Sequence, residues 1–192
     1  MNYLAHFYLS GNNVEIIIGN YIGDAVKGGN FSNYSNGVRQ GIVLHRKIDA
    51  FTDSHEIVKE SKAHLRKKYR HYAGVIVDVF YDHFLAKNWD GYSDELLDDF
   101  SKKMYLLLEK RKATFPYKSQ LFLQYMVANN ILVNYAKLQG IQQVFNGLAH
   151  RTKFDSKMEN AVHDLKKDYE IYEKEFQAFF PELKNYASDL LA

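Results

Sequence analysis

The sequence predicts an all-α fold built as a single-domain helical bundle, and three observations support that prediction. Helix-capping signals recur along the chain, apolar residues repeat at spacings of three and four, and only Pro116 and Pro181 interrupt long helices. The chain has 192 residues and contains no internal repeat or low-complexity linker. Because domains contain roughly 150 residues, we expect one domain spanning residues 1–192.

The first half of the chain is predicted to contain a surface loop and then helices. Residues 28–37 are rich in Gly, Asn and Ser, which is typical of a loop. Asp53 resembles the cap of a helix that ends near Tyr72. Residues 74–88 contain β-branched side chains that favour a strand, but they do not alternate with polar residues, and the run has no turn signal. A buried helix therefore fits this segment better.

Three helices are predicted in the second half, over residues 93–111, 121–138 and 156–181. Ser93, followed by two acidic residues, is expected to cap the first. The second is expected to end at Gly140, in the position where a glycine often terminates a helix. Ser156 and Glu159 form a capping box for the third, which is expected to end near Pro181.

Composition excludes several functional classes. The formal net charge is only +2, and no nucleic-acid recognition motif is present, so a nucleic-acid partner is not expected. The absence of cysteine excludes disulfides, zinc–thiolate sites and cysteine nucleophiles. A metal site must therefore use His, Asp and Glu, which favours Mn²⁺, Mg²⁺ or Fe²⁺. No signal-peptide pattern or apolar run of about 20 residues occurs, so we expect a cytoplasmic protein without a membrane partner.

Histidines and aspartates cluster in the first 83 residues, which contain six of the eight histidines. His45 and Asp49 stand four residues apart and would share one face of a helix. Such a pair can hold a metal, or the carboxylate can orient the imidazole as its hydrogen-bond partner. A local hydrogen bond near a helix end is the alternative interpretation.

A second constellation lies in the apolar segment 74–88. Asp78 and Asp82 would share one helix face, and burying two carboxylates is costly unless they are paired or bind a cation. His83 points about 100° from Asp82 on a helix, so both side chains can reach one ion. The alternative is that Asp82 or His83 faces solvent.

Two further residues are weaker candidates by pattern alone. Asp24 follows Gly19 and Gly23, but this spacing is neither a Walker loop nor a dinucleotide fingerprint, and a solvated Asp is the simpler interpretation. His6 lies in an apolar opening segment, where a histidine is usually a core residue with satisfied hydrogen bonds.

A basic helix precedes the second constellation. Its cations have few acidic neighbours and comprise Lys59, Lys62, Arg66, Lys67 and Arg70. Such a run is usually a solvated face, but it would also suit an acidic macromolecular partner.

Taken together, these segments resemble the acyl carrier protein phosphodiesterase family. The similar segments fall in order over the first 89 residues and comprise residues 2–6, 19–28, 41–49, 51–55, 78–85 and Trp89. The helical remainder is similar to the family in length and character.

The resemblance implies a Mn²⁺-dependent enzyme, with Mg²⁺ or Fe²⁺ as alternatives. Its substrate would be holo-acyl carrier protein, cleaved to 4′-phosphopantetheine and apo protein, as part of fatty acid biosynthesis. The family is regarded as related to the all-helical HD phosphohydrolases, so the resemblance implies an HD-domain-like bundle. The order of His and Asp differs from the usual HD pattern, because the dipeptide at 82–83 is Asp-His.

The resemblance also implies roles for these residues. The candidate metal ligands are Asp24, His45, Asp78, Asp82 and His83, and the candidate catalytic residues are His6, Arg46 and Asp49. Arg46 would clamp phosphate oxygens through its planar fork, and Lys27 would act there as a point charge. Asp49 would orient His45 or take a proton from the attacking water. The basic helix would bind the acidic carrier protein.

Two other functions remain open at this stage. One is an HD-type phosphohydrolase acting on a nucleotide or another small phosphoester. The other is a non-catalytic helical interaction module that docks through the basic helix. A carboxylate-bridged di-iron bundle is excluded, because no Glu stands three residues before any histidine.

Overall fold

A computed structural model describes residues 1–29 and 31–192, and within them the secondary structure is helical, with no strand. The predicted all-α fold is confirmed. The α-helices are α1 (Tyr3–Tyr8), α2 (Val14–Ile22), α3 (Asn36–Ser54), α4 (Glu56–Tyr69), α5 (Ala73–Lys87), α6 (Leu97–Glu109), α7 (Tyr117–Ala128), α8 (Ile131–Asn134), α9 (Leu138–Arg151), α10 (Ala161–Lys167) and α11 (Tyr169–Leu191). No described helix is long and apolar enough to cross a bilayer.

Helix α5 forms the centre of the hydrophobic core and packs against α1, α4, α9 and α11. Its side chains Phe80 and Phe84 are fully buried and contact aromatic rings of α9 and α11, including Phe145 and Phe176. The prediction of a buried helix over residues 74–88 is confirmed. Burial of most of its surface explains why this helix contains residues that usually favour strands, since tertiary packing overrides local propensity.

Helices α2 and α3 cross with their backbones almost in contact. A Cβ atom on Gly19 would lie 2.8 Å from the Cα of Gly41, and one on Gly41 would lie 2.2 Å from the carbonyl oxygen of Ile16. Neither position can hold a larger side chain without moving the helices apart. This close crossing brings Asn20 of α2 beside His45 of α3.

Several predicted helix ends in the second half of the chain are wrong. Gly140 lies inside α9, where a Cβ atom would be 2.0 Å from the carbonyl oxygen of Asn134, so this glycine permits close packing and does not end a helix. The predicted helix over residues 121–138 is broken at Asn130, whose φ of 42° is left-handed. Pro181 lies within α11, which continues to Leu191.

The predicted caps have mixed outcomes. Ser93 accepts a hydrogen bond from the backbone N–H of Glu95, but α6 begins only at Leu97. Asp53 belongs to the last turn of α3 and pairs with Lys62, so it is not the cap of α4. Ser156 accepts from the N–H of Met158, and a short 3₁₀ turn follows before α10.

The predicted loop over residues 28–37 contains no helix before α3 begins at Asn36, as far as the described residues show. Residue 30 of this predicted loop lies outside them.

Candidate metal centre and active site

Three side chains from α1 and α3 converge on one point. The ligand atoms of His6, His45 and Asp49 all lie within 4.8 Å of one another. Asp49 lies between the two histidines, with its oxygens 3.2 Å from the Nε2 atom of His6 and 3.2 Å from that of His45. The two imidazole rings stack with centroids 4.2 Å apart. Two imidazole nitrogens and a carboxylate oxygen form a donor set that fits a divalent metal ion.

Asn20 orients both imidazoles and was not predicted as a site residue. Its Oδ1 atom accepts hydrogen bonds from the Nδ1 atoms of His6 and His45, at 2.7 and 3.1 Å. Its amide nitrogen donates to the carbonyl oxygen of His6 and to Ser10 Oγ, which identifies the oxygen end of the amide. With Nδ1 donating to Asn20, each ring directs its Nε2 atom toward Asp49, where a bound metal ion would take the place of the Nε2 proton.

Asp24 extends the cluster toward solvent. Its Oδ1 atom lies 3.1 Å from His45 Nε2, and 73% of its side chain is exposed. Gly23 makes this arrangement possible, because a Cβ atom there would lie 2.4 Å from the Cγ atom of His45. The predicted pair Asp24 and His45 is therefore brought together with His6 and Asp49.

The charges of the cluster depend on one another. Burial alone would lower the pKa of His45, but hydrogen bonds to Asp24 and Asp49 outweigh it and raise that pKa to about 9. Burial and the neighbouring His45 lower the pKa of His6. Although burial would raise the pKa of Asp49, hydrogen bonds from both histidines lower it below its usual value. The cluster thus holds ionised carboxylates around a position that attracts positive charge.

Asp78 lines the cavity above the cluster. This cavity of about 270 Å³ is also lined by Asp24, His45 and Asp49. The amino group of Met1 donates a hydrogen bond of 3.0 Å to Asp78 and lies 3.8 Å from Asp49. Burial would lower the pKa of this amino group, but Asp78 and Asp49 raise it. Asp78 therefore lies at the same site as the predicted ligands of α3.

Asp82 lies near the site but has another function. It is fully buried, and its carboxylate accepts hydrogen bonds from the backbone N–H groups of Asn2, Leu4 and Ala5 at 3.2, 2.7 and 3.4 Å. Burial raises the pKa of this carboxyl group to about 7. Asp82 thus satisfies the N-terminus of α1, the helix that carries His6. Its oxygens are occupied, so we correct its assignment from ligand to anchor.

His83 does not reach the cluster. Its Nδ1 atom donates to the carbonyl oxygen of Tyr135 at 2.7 Å, and its Nε2 atom lies 2.8 Å from the hydroxyl group of Tyr169. Both ring nitrogens are engaged in the packing of α5 against α8 and α11. The structure therefore does not group His83 with His6 and His45, and we remove it from the candidate ligands.

The guanidinium group of Arg46 is hydrogen-bonded to the loop that follows Asp24. Its two terminal nitrogens donate to the carbonyl oxygens of Gly28 and Val26, at 2.8 and 2.7 Å. Its guanidinium also lies 4.8 Å from the ring centroid of Phe31. Both arms of the fork are used, so the predicted phosphate clamp is corrected to a loop anchor. Lys27 is exposed in the same loop, and its predicted role stays a prediction.

The basic residues of α4 divide into two groups. Lys59 pairs with Glu56, and Lys62 pairs with Asp53, which lines the cavity above the cluster. Lys68 pairs with Asp164, whereas Arg66 and Lys67 are exposed, as is Arg70 just after the end of the helix. Through Asp53 and Lys62, α4 borders the site, and its role in binding a carrier protein stays a prediction.

Known proteins resemble this chain over almost its full length. The family model described as acyl carrier protein phosphodiesterase matches residues 1–183. A protein named acyl carrier protein phosphodiesterase from Yersinia enterocolitica is 32% identical, with 98% of each chain covered. Its namesake from Serratia proteamaculans is 30% identical, also over 98% of each chain. No solved structure matches.

Proposed function

The chain belongs to the acyl carrier protein phosphodiesterase family and is a phosphodiester hydrolase, and we propose that its substrate is holo-acyl carrier protein. Hydrolysis would release 4′-phosphopantetheine and leave the apo protein with a free serine. The observation that carries this proposal is the convergence of His6, His45 and Asp49 beside a cavity. We place the reaction in the cytoplasm, in the turnover of carrier proteins for fatty acid biosynthesis.

The proposed cofactor is Mn²⁺, which His6, His45 and Asp49 would hold. Asp24 and Asp78 are close enough to the cavity to complete the set. A divalent cation supplies charge neutralisation at the phosphate and lowers the pKa of the water that attacks it. Imidazole and carboxylate donors suit Mn²⁺ and also Fe²⁺, whereas Mg²⁺ favours oxygen donors.

The side chains of the chain itself have separate tasks in this reaction. Asn20 holds both rings with their Nε2 atoms directed at the same point. Asp49 bridges the rings and fixes their distance. Asp24 is the most exposed member of the cluster, so it would complete the ligand set from the solvent side. Asp82 contributes indirectly, because it anchors the N-terminus of the helix that contains His6.

The basic face of α4 is the proposed docking site for the acidic carrier protein. The scissile bond joins the phosphate directly to a serine of the carrier, so the carrier must lie against the rim of the cavity. Asp53 lines that cavity and pairs with Lys62 of α4, which places the helix at the rim. Exposed cations there would steer an acidic partner toward the site.

An assay of 4′-phosphopantetheine release tests the proposed function. Purified protein is stripped with a chelator and then supplied with Mn²⁺, Mg²⁺ or Fe²⁺ and holo-acyl carrier protein. We expect no release without metal and restored release with Mn²⁺. Nucleotides and small phosphodiesters are tested in parallel as the alternative substrates. The proposal fails if no metal supports release from the carrier protein, or if a nucleotide is cleaved far more efficiently.

A further inference from the structure

A groove of about 270 Å³ leads away from the candidate metal centre between α1, α7, α8 and α9. The groove adjoins the cavity above the cluster, because both spaces are lined by residues 1–3 and by Asp24, Val75 and Asp78. Small ligands usually occupy pockets of roughly 300–1,000 Å³. The groove and the cavity together are of that size.

Polar groups of Asp24, Asp78 and Arg151 line the groove together with a wall of apolar and aromatic side chains. The apolar and aromatic side chains comprise Tyr3, Phe122, Tyr125, Ile131, Val144 and Leu148. Tyr3 and Phe122 stack with ring centroids 4.6 Å apart, which forms one rigid wall. Neither the cluster nor the proposed chemistry uses these side chains, so the groove is available for a part of the substrate that does not react.

Arg151 provides the only basic side chain in the lining of this groove. Its guanidinium lies 5.6 Å from the ring centroid of Phe122, and its Nε atom donates to the carbonyl oxygen of Gly147. Among the described residues, none accepts a hydrogen bond from its two terminal nitrogens. Arg151 also lines a neighbouring shallow pocket that again includes Tyr3 and Asp24. Arg151 therefore lines two spaces together with Tyr3 and with Asp24, the most exposed member of the cluster.

We propose that the groove binds the pantetheine arm of the substrate and that Arg151 binds the phosphate at the end of that arm. The inference rests on the proposed function. The phosphodiester joins the carrier's serine on one side to a long uncharged arm of methyl and amide groups on the other. A groove that has an apolar and aromatic wall and adjoins the cavity of the candidate metal centre matches such an arm.

The carboxylates of the site make a further cation favourable for binding an anionic substrate, in addition to the Met1 amino group and the proposed metal ion. Asp24, Asp49 and Asp78 all line the cavity, and an anionic phosphodiester would be repelled by them. Arg46 cannot compensate, because both of its terminal nitrogens are bonded to the loop. The free fork of Arg151 can contact two phosphate oxygens at once.

Binding and turnover are measured separately in the test. Titration calorimetry with 4′-phosphopantetheine and with pantetheine is performed on the Mn²⁺-loaded protein, and release from holo-acyl carrier protein is measured in parallel. The variants are Arg151→Gln, Arg151→Lys, Leu148→Trp to narrow the groove, and Tyr125→Ala at a partly exposed wall position. Arg111→Gln is the matched control, because Arg111 is exposed and lines a pocket remote from the centre.

We expect Arg151→Gln to lower kcat/KM by about 10²-fold or more, with little rescue in Arg151→Lys, since loss of one electrostatic donor typically has that effect. Leu148→Trp and Tyr125→Ala should weaken binding of pantetheine and 4′-phosphopantetheine. Arg111→Gln should change neither kcat/KM nor the binding of these ligands. The proposal is overturned if the wild-type protein binds neither ligand, or if folded groove and Arg151 variants behave like Arg111→Gln. Binding without any release would instead retain the groove and reject the proposed function.

Discussion

Helices α3 and α5 both carry a pair of polar residues four positions apart, and the structure uses the two pairs in opposite ways. In α3, His45 and Asp49 face a cavity together, and 38% of the Asp49 side chain remains exposed. In α5, Asp78 reaches the same cavity, but Asp82 is sealed beneath the N-terminus of α1. Sequence spacing places two residues on one face, but the neighbouring elements decide whether that face binds a ligand or anchors the fold.

The strongest expected difference between the two helices is in metal retention. Asp49→Asn and His45→Ala should lose bound Mn²⁺ and reduce release of 4′-phosphopantetheine by about 10³-fold or more, because each removes a donor atom of the cluster. His83→Gln should retain the metal. His64→Gln is the matched control, since His64 is partly exposed and pairs with Glu175 instead. Metal analysis of dialysed protein measures the difference, and loss of metal in His83→Gln would restore that residue as a ligand.

A smaller effect is expected at Asn20, which touches both histidines without reaching the metal position. Asn20→Ala removes the acceptor that fixes the Nδ1–H form of both rings. Loss of such an outer partner typically lowers metal affinity or activity by about 10–100-fold. Competition with a fluorescent chelator gives the Mn²⁺ affinity. Unchanged affinity in folded Asn20→Ala would show that Asp49 alone orients the rings.

At Asp82 we expect a loss of stability with little change in metal content. Asp82→Asn places an amide nitrogen against backbone N–H groups that need an acceptor. Leaving a buried donor unsatisfied costs about 1–3 kcal/mol of the free energy of unfolding. Urea unfolding measures the loss, and metal analysis is performed on the folded variant. A stable variant that has lost its metal would restore Asp82 as a candidate ligand.

The pH dependence of the free energy of unfolding tests whether His83 stabilises the fold. Burial lowers its pKa below the ordinary value of about 6.5, so the unfolded chain binds a proton there before the folded protein does. The contribution of neutral His83 to the free energy of unfolding is complete above about pH 6.5. It is lost as the pH falls toward the lower pKa of the folded state, by at most about 1.4 kcal/mol per pH unit. Urea unfolding at pH 7.5 and 5.5 should show a shallower decline in His83→Gln than in the wild type. Equal declines would mean that His83 does not contribute.

The smallest expected effect concerns the exposed cations of α4. Arg66→Glu combined with Lys67→Glu should raise KM for the carrier protein several-fold at low salt, because exposed charges are screened over roughly 10 Å at 0.1 M salt. The effect should shrink at high salt, and kcat should stay unchanged. Lys102→Glu with Lys103→Glu provides a matched control on α6. An unchanged KM at low salt would show that this face of α4 is only solvated.

The sequence by itself determined the helical class and the buried helix over residues 74–88, and it predicted a site made of His and Asp side chains. These properties depend on local signals, namely caps, the spacing of apolar residues, and a supply of His and Asp without Cys. The i, i+4 spacing of His45 and Asp49 was also sufficient to predict that they act together, because both lie on one helix face.

Only the tertiary structure decided which residues form the candidate metal site and which residues support them. Asp82 contacts Leu4 across 78 positions of the chain, and no local pattern reports that an approaching helix end will occupy its oxygens. Asn20 and Arg151 gained their proposed roles in the same way, from helices that meet in space. Gly140 lies at a close approach where a helix end was predicted. The helical period of the sequence determines which face of a helix a residue occupies. Which segment packs against that face depends on contacts between residues far apart in the chain, and only the folded structure shows those contacts.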